Sequence, residues 1–174
     1  MDKKVTSKQE EFMSLYNQSH ARLSRYVQSV VYNRTDVKDI LSETVLRVYE
    51  RFDKIEKKES FIYYLFKTAS RLITDLHKKQ NRFVEYEEDI ILEIPAEIID
   101  TAQALEVKDL YRALSRLPLI VREAIVLYEI EGFSQDEICE IQGGSLSGVK
   151  SRISRGRETL KKLISEADSI KIPN

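Results

Sequence analysis

The chain has 174 residues, 42% apolar and 33% charged, with 28 Lys and Arg against 29 Asp and Glu, a single Cys, five Gly and three Pro. That length suits one compact domain or two small ones and excludes a large multidomain enzyme, while the apolar fraction argues against wholesale disorder. Gly and Pro fall well below their usual joint share of about 12%, and neither occurs before Pro95, so the chain reads as helical.

The lone cysteine, Cys139, allows no internal disulfide. The opening MDKKVTSKQEE lacks the apolar core of a signal peptide, and no apolar run approaches the roughly 20 residues that span a bilayer. The expectation is a cytoplasmic protein without membrane insertion. A net charge of -1 conceals an asymmetry: Glu85 to Asp100 holds seven acids and no base, whereas Lys67 to Arg82 and Ser145 to Lys162 are basic. Two basic patches on either side of an acidic strip suggest a polyanion touched at two places, whereas charge alone favours the plainer reading of solvated helix faces.

The first expected helix runs from about Ser7 to Asn33, with Phe12, Leu15, Leu23, Val27, Val30 and Val31 near one face. A second opens at Asp36, where Val37, Ile40, Leu41, Thr44, Val45, Val48, Tyr49 and Phe52 keep the i, i+3, i+4 period. Asp53 to Ser60 breaks that period and reads as a loop. A third helix, about Phe61 to Lys79, turns Leu65, Phe66, Ala69, Leu72, Ile73 and Leu76 inward and completes a three-helix bundle. Residues 83–101 lose the period and carry the acids with Pro95, which marks a linker.

Beyond it, Val107, Leu110, Tyr111, Leu114 and Leu117 make a helix stopped by Pro118, and Leu119 to Glu131 make another. In SQDE, Ser134 and Glu137 form a capping box that starts a short helix, ended by Gln142, Gly143 and Gly144. The last helix runs from about Ser145 to Ser165, with Leu146, Val149, Ile153, Leu160 and Leu163 inward. The fold class is therefore all-α: a three-helix domain over 7–82, an acidic linker over 83–101 and a second helical domain over 102–166.

A capped short helix, a glycine turn and a basic helix with small residues at its start describe a helix-turn-helix. Ser145, Ser147 and Gly148 let the helix start approach a groove. Lys150, Ser151, Arg152 and Arg155 face outward, and the cations there, with Arg157, suit phosphates or guanine edges. Near the third helix, the aromatics Phe61, Tyr63, Tyr64 and Phe66 neighbour Lys54, Lys57 and Lys58, and Tyr63 suits stacking on an unpaired base. Catalytic signals are absent: His20 and His77 stand alone, Cys139 takes an inward position, and no metal-ligand or cofactor spacing occurs. The reading is of a protein that is not an enzyme and uses no cofactor or metal.

Two segments, DVKDILSETVLRVYERFD with SFIYYLFKTASRLITDLHKK, and LSRLPLIVREAIVLYEIEGFSQDEICEIQGGSLSGVKSRISRGRETLKKL, resemble regions 2 and 4 of the extracytoplasmic-function sigma factors of bacterial RNA polymerase, in the family's order and spacing. The resemblance implies that Asp36, Asp39, Glu43 and Arg47 meet the clamp helices of the largest subunit of the core polymerase, and that the Asp53 to Ser60 loop captures a flipped base of the -10 element. It implies further that Arg71, Thr74, Lys78 and Lys79 meet the -10 duplex and that the helix from Ser145 reads the -35 element of promoter DNA. The resemblance also implies an anti-sigma factor as a further partner. The sequence departs from the family's pattern at Lys38, Ser42, Tyr64, Arg71 and Gly148, and at Gln142, where an apolar residue is usual. The alternatives are a stand-alone helix-turn-helix regulator with a sensing or dimerising bundle, and a helical adaptor that binds no DNA.

Overall fold

A computed structural model describes residues 2–81 and 104–170, with side chains at 7–81 and 107–166. Helix α1 spans Asp2–Val30, α2 Arg34–Glu50, α3 Phe61–Asn81, α4 Ala104–Ser115, α5 Leu119–Ile125, α6 Gln135–Gln142 and α7 Leu146–Ile170. Among the described residues there is no strand. The acidic linker expected at 83–101 lies outside the described residues.

The apolar period of α2 is realised with Val37, Ile40, Thr44 and Val48 buried. The helix begins two residues before the expected Asp36, because Asn33 is its cap: the side-chain carbonyl accepts from the amides of Thr35 and Asp36 at 2.9 and 3.1 Å. Asp36 falls instead in the first turn, where an acid suits the helix dipole. Phe12 of α1 meets Phe52 and Phe61 edge-on, which pins α1, the 52–60 connection and the start of α3 together. That connection, expected as a loop, contains two short 3-10 turns, Phe52–Lys54 and Lys58–Ser60.

In the C-terminal half α5 stops at Ile125 and the chain continues in a wider turn, with the Glu131 amide bonding to the Val126 carbonyl at 3.0 Å. This i to i-5 bond is a π turn. It replaces the regular helix expected up to Glu131. Gly156 brings α7 close against α5, since a Cβ there would lie 2.5 Å from Ile125 Cγ1. Leu146, expected inside, is 37% exposed in the first turn of α7, before that helix reaches the cover of α5 and α6.

The two helical units pack against each other. α3 lies on α6, and α1 lies on α4, α5 and the π turn, so one buried cluster runs from Phe12 through Phe66 and Phe133 to Ile153. The seam holds charges as well as carbon. Glu131, whose side chain is fully buried, receives Arg25 Nε at 2.8 Å and Arg25 Nη2 at 3.1 Å, with Arg22 Nε at 3.4 Å. Tyr26 Oη donates to Glu123 Oε1 at 2.6 Å.

Candidate nucleic-acid interface

The helix-turn-helix is built by local chemistry. Ser134 Oγ accepts from the Glu137 amide at 3.3 Å, and the Glu137 carboxylate accepts from the Ser134 amide at 2.6 Å, so the expected capping box is present in both directions. Gly143 and Gly144 take φ of +78° and +98°, values that cost a side-chain-bearing residue and let the chain turn from α6 into α7. Ser145 Oγ then accepts from the Gly148 amide at 3.2 Å and caps α7.

That cap places the small residues where the sequence put them. Ser145 and Ser147 are exposed at the helix start and Gly148 is half-buried beside Ser145. Val149 and Ile153 are buried beneath, which turns Lys150, Ser151 and Arg155 out to solvent. Arg152 differs from them. It is half-buried, and its Nη1 donates to Gln142 Oε1 at 3.2 Å. Arg157 is exposed but pairs with Glu129 and lies over the Tyr128 ring.

On the N-terminal unit, Arg71, Lys78 and Lys79 are exposed along α3 and Thr74 is half-buried beside them. Lys54 and Lys57 are exposed in the 52–60 connection, whereas Lys58 sits 4.0 Å above the Phe52 ring and pairs with Glu11 at 3.1 Å. Tyr63, expected as a stacking platform, is half-buried in the seam. Its hydroxyl donates to Glu137 Oε1 at 2.5 Å and its ring packs against Phe133. The Tyr63 hydroxyl is the chief influence holding the Glu137 carboxyl below its ordinary pKa. The α2 face shows Asp39 and Arg47 exposed, Asp36 accepting from Gln80 at 3.1 Å, and Glu43 paired with Arg47 at 2.6 Å.

The expected residues therefore fall on α7 with its cap, on the basic side of α3 with the 52–60 connection, and on the outer face of α2, where Asp36 reaches Gln80 of α3; Tyr63 stands apart from them in the seam. Among the described residues no cluster of His, Cys, Asp or Glu could hold a metal ion, and no helix is long and apolar enough to cross a membrane. Sequence reasoning missed the seam residues Arg22, Arg25, Tyr26, Glu123 and Glu131. A signal existed for Glu123, which with Arg122 is set inside the otherwise apolar stretch Ile120 to Leu127. Burial pushes its carboxyl above the ordinary range, against the opposing hydrogen bonds from Tyr26, Ser70 and Gln142.

The two halves match separate family models, Sigma-70 region 2 over residues 15–83 and Sigma-70 region 4 over residues 108–160. With both regions present on one chain in this order, it belongs to the sigma-70 family. The ECF RNA polymerase sigma factor SigE of Mycolicibacterium smegmatis is 30% identical over 160 residues, covering 89% of this chain and 62% of that protein. CarQ, an RNA polymerase sigma factor of Myxococcus xanthus, is 29% identical over 162 residues and is covered to 92%. The sigma factor RpoE of Bartonella quintana, solved in complex with the anti-sigma factor NepR, superposes with a TM-score of 0.76 at 25% identity, covering 90% of this chain and 98% of that one. Within the family the chain is an extracytoplasmic-function sigma factor.

Proposed function

We propose that this chain binds bacterial core RNA polymerase through the outer face of α2, reads a promoter with α3 and the 52–60 connection at one place and with α7 at another, and helps open the duplex. The observation that supports it most is the start of α7: a capped helix end with small side chains and exposed cations, set on a turn that two positive-φ glycines make. The work is binding, in the cytoplasm. Phosphate contacts supply salt-dependent affinity, base edges in the major groove supply specificity, and trapping an extruded base offsets an unstacking cost of a few kcal/mol. The acids of 83–101 repel duplex DNA and suit basic channels of the polymerase. Because RpoE binds the anti-sigma factor NepR, an anti-sigma factor is a natural further partner here.

Reading both elements requires the two units to part. Positions -10 and -35 lie about 25 base pairs, or about 85 Å, apart along straight duplex, whereas Tyr63 on α3 touches Glu137 on α6. The residues between Asn81 and Ala104 can reach about 75 Å when extended, which together with the width of the units is enough. Parting also frees the Tyr63 ring from Phe133, so a base can take its place.

Transcription from a genomic template with purified core polymerase, with and without this chain, tests the proposal. Promoter-specific initiation is expected only with the chain. Lys150→Ala with Arg155→Ala should lower promoter occupancy and reduce the salt slope by about 2, with core binding unchanged. Sequence-specific binding by the chain alone, with no effect on polymerase, would favour a stand-alone regulator instead.

A further inference from the structure

Gln142, the last residue of α6, stands where the resembled family carries an apolar side chain, and both ends of its amide are in use. Nε2 donates to the Ile120 carbonyl at 3.1 Å and to Glu123 Oε2 at 3.3 Å, while Oε1 accepts from Arg152 Nη1 at 3.2 Å. The orientation of this amide is forced. Turned over, its NH2 would face a guanidinium, which has donors only, and its oxygen would face the Ile120 carbonyl, which can only accept. Glu123 is itself held, buried at the seam with Tyr26 Oη on its other oxygen.

Room for the guanidinium comes from Gly144. A Cβ at that position would lie 3.2 Å from Arg152 Nη2. Glu123 on α5, Gln142 on α6 and Gly144 in the turn thus converge on the place of one guanidinium on α7. Arg152 is half-buried there, while Lys150, Ser151 and Arg155 around it are exposed. One of its five N–H groups goes to Gln142, and the fork keeps others for a ligand.

We propose that Gln142 is a positioning residue for promoter recognition, holding the Arg152 fork in a fixed place and plane so that it discriminates one base pair of the -35 element. This rests on the reading of α7 as the -35 reader. A freely moving arginine meets any phosphate within reach and adds affinity without sequence information. A fork of fixed plane pairs with O6 and N7 of guanine only when the right base pair is presented. The acid and the amide behind Arg152 decide which of these it does.

The test uses holoenzyme assembled from core polymerase and the full chain, with the -35 element varied one base pair at a time and binding measured across a salt series. Gln142→Met keeps the length of the side chain and the Arg152 charge but removes the amide; Gln142→Leu, the apolar kind of residue usual in the family, guards against a folding defect peculiar to one variant. Each should lower the preference at one base pair by about tenfold, with no loss of non-promoter affinity, since the freed guanidinium still meets phosphates. Arg152→Ala should erase the same preference, as expected for a side chain that reads a base edge. Adding Gln142→Met to Arg152→Ala should then cost nothing more, since the amide acts through the guanidinium.

An equal loss on every sequence, an unaltered preference, or additive losses in the double variant would each overturn the proposal. If Arg152→Ala, Lys150→Ala and Ser151→Ala all leave the -35 preference untouched, the assignment of α7 fails. If they shift it and the Gln142 variants do not, only the positioning role fails.

Discussion

Glu131→Gln tests whether charge holds the two units together. The Glu131 side chain is fully buried, yet the arginines it receives, Arg22 and Arg25, keep 35% and 49% of their side-chain surface. Removing one partner of a wholly buried pair costs about 3–5 kcal/mol. Here water reaches the cations, so the cost falls to about 1–2 kcal/mol, between the worth of an exposed ion pair and that of a hydrogen bond to a charged group. With tenfold for each 1.36 kcal/mol, that is a shift of about 5- to 30-fold in the ratio of closed to parted molecules. The penalty falls on closure, because Glu131 and the arginines belong to different units and meet water once these separate. Dyes at the exposed positions Ser14 on α1 and Glu140 on α6 give the distance distribution by single-molecule energy transfer. Glu131→Gln should enlarge the long-distance population, and Arg25→Ala should do the same. Glu129→Gln is the control, since its partner Arg157 lies in the same unit. An unchanged distribution for Glu131→Gln, or an equal shift for Glu129→Gln, would refute the reasoning.

Gly156→Ala should lower the melting temperature, because the added Cβ would sit 2.5 and 2.8 Å from Ile125 and 3.1 Å from Val121; overpacking of about 1–3 kcal/mol exceeds the gain of about 1 kcal/mol in helix propensity, and a melt at or above wild type would contradict the packing of α7 on α5. Closure should weaken as pH rises from the ordinary carboxylate value of 4.5 through the raised value of Glu123, because an acid whose pKa is raised by burial holds its proton more tightly in the closed state. His77, lowered by burial and by Arg122, works in the opposite direction below its ordinary 6.5, so the titration belongs on a His77→Gln background, where Tyr26 and Arg122 keep their protons throughout; Glu123→Gln should flatten the remaining dependence in the same energy-transfer assay. Asp39→Lys with Glu43→Lys should reduce recovery of core polymerase in a pull-down while circular dichroism stays unchanged, as surface substitutions cost little stability; equal recovery would remove α2 as the contact.

The elements that sequence reasoning reached are those whose signals are local. The period of α2 shows its buried face, SQDE shows the start of α6, and the glycine pair shows the turn into α7, because each depends on residues within one or two turns. What it did not reach depends on residues far apart. Periodicity tells that Leu23 and Val27 are buried; it does not tell that Tyr26 between them meets an acid 97 positions later. The pair Arg22 and Arg25 looks like an ordinary solvated face until Glu131 is brought to it by the π turn. Arg152 was legible as a cation on the outer side of α7. That Gln142 occupies it was not, since an amide at the end of a helix has no preferred partner in sequence.

The parting proposed above leaves several local bonds of each unit in place. Glu137 gives one oxygen to the Ser134 amide and the other to Tyr63, so losing Tyr63 leaves the cap of α6 in place. Arg122 donates to the carbonyls of Leu114, Ser115 and Leu117 within its own unit and to that of Val30 across the seam; three of the four bonds survive separation. Arg22 and Arg25 already touch water, which lowers the cost of exposing them fully. The strong objections to parting are Phe133, packed on Phe66 and Tyr63, and the buried acids Glu123 and Glu131. An acid is the group that gains most from water once its partner leaves, so these two carboxylates hold the closed form only while their donors are present. The outer face of α2, proposed above as the polymerase contact, includes none of these seam residues, so a partner bound there leaves the seam's own bonds and the Phe133 packing to decide whether the units part.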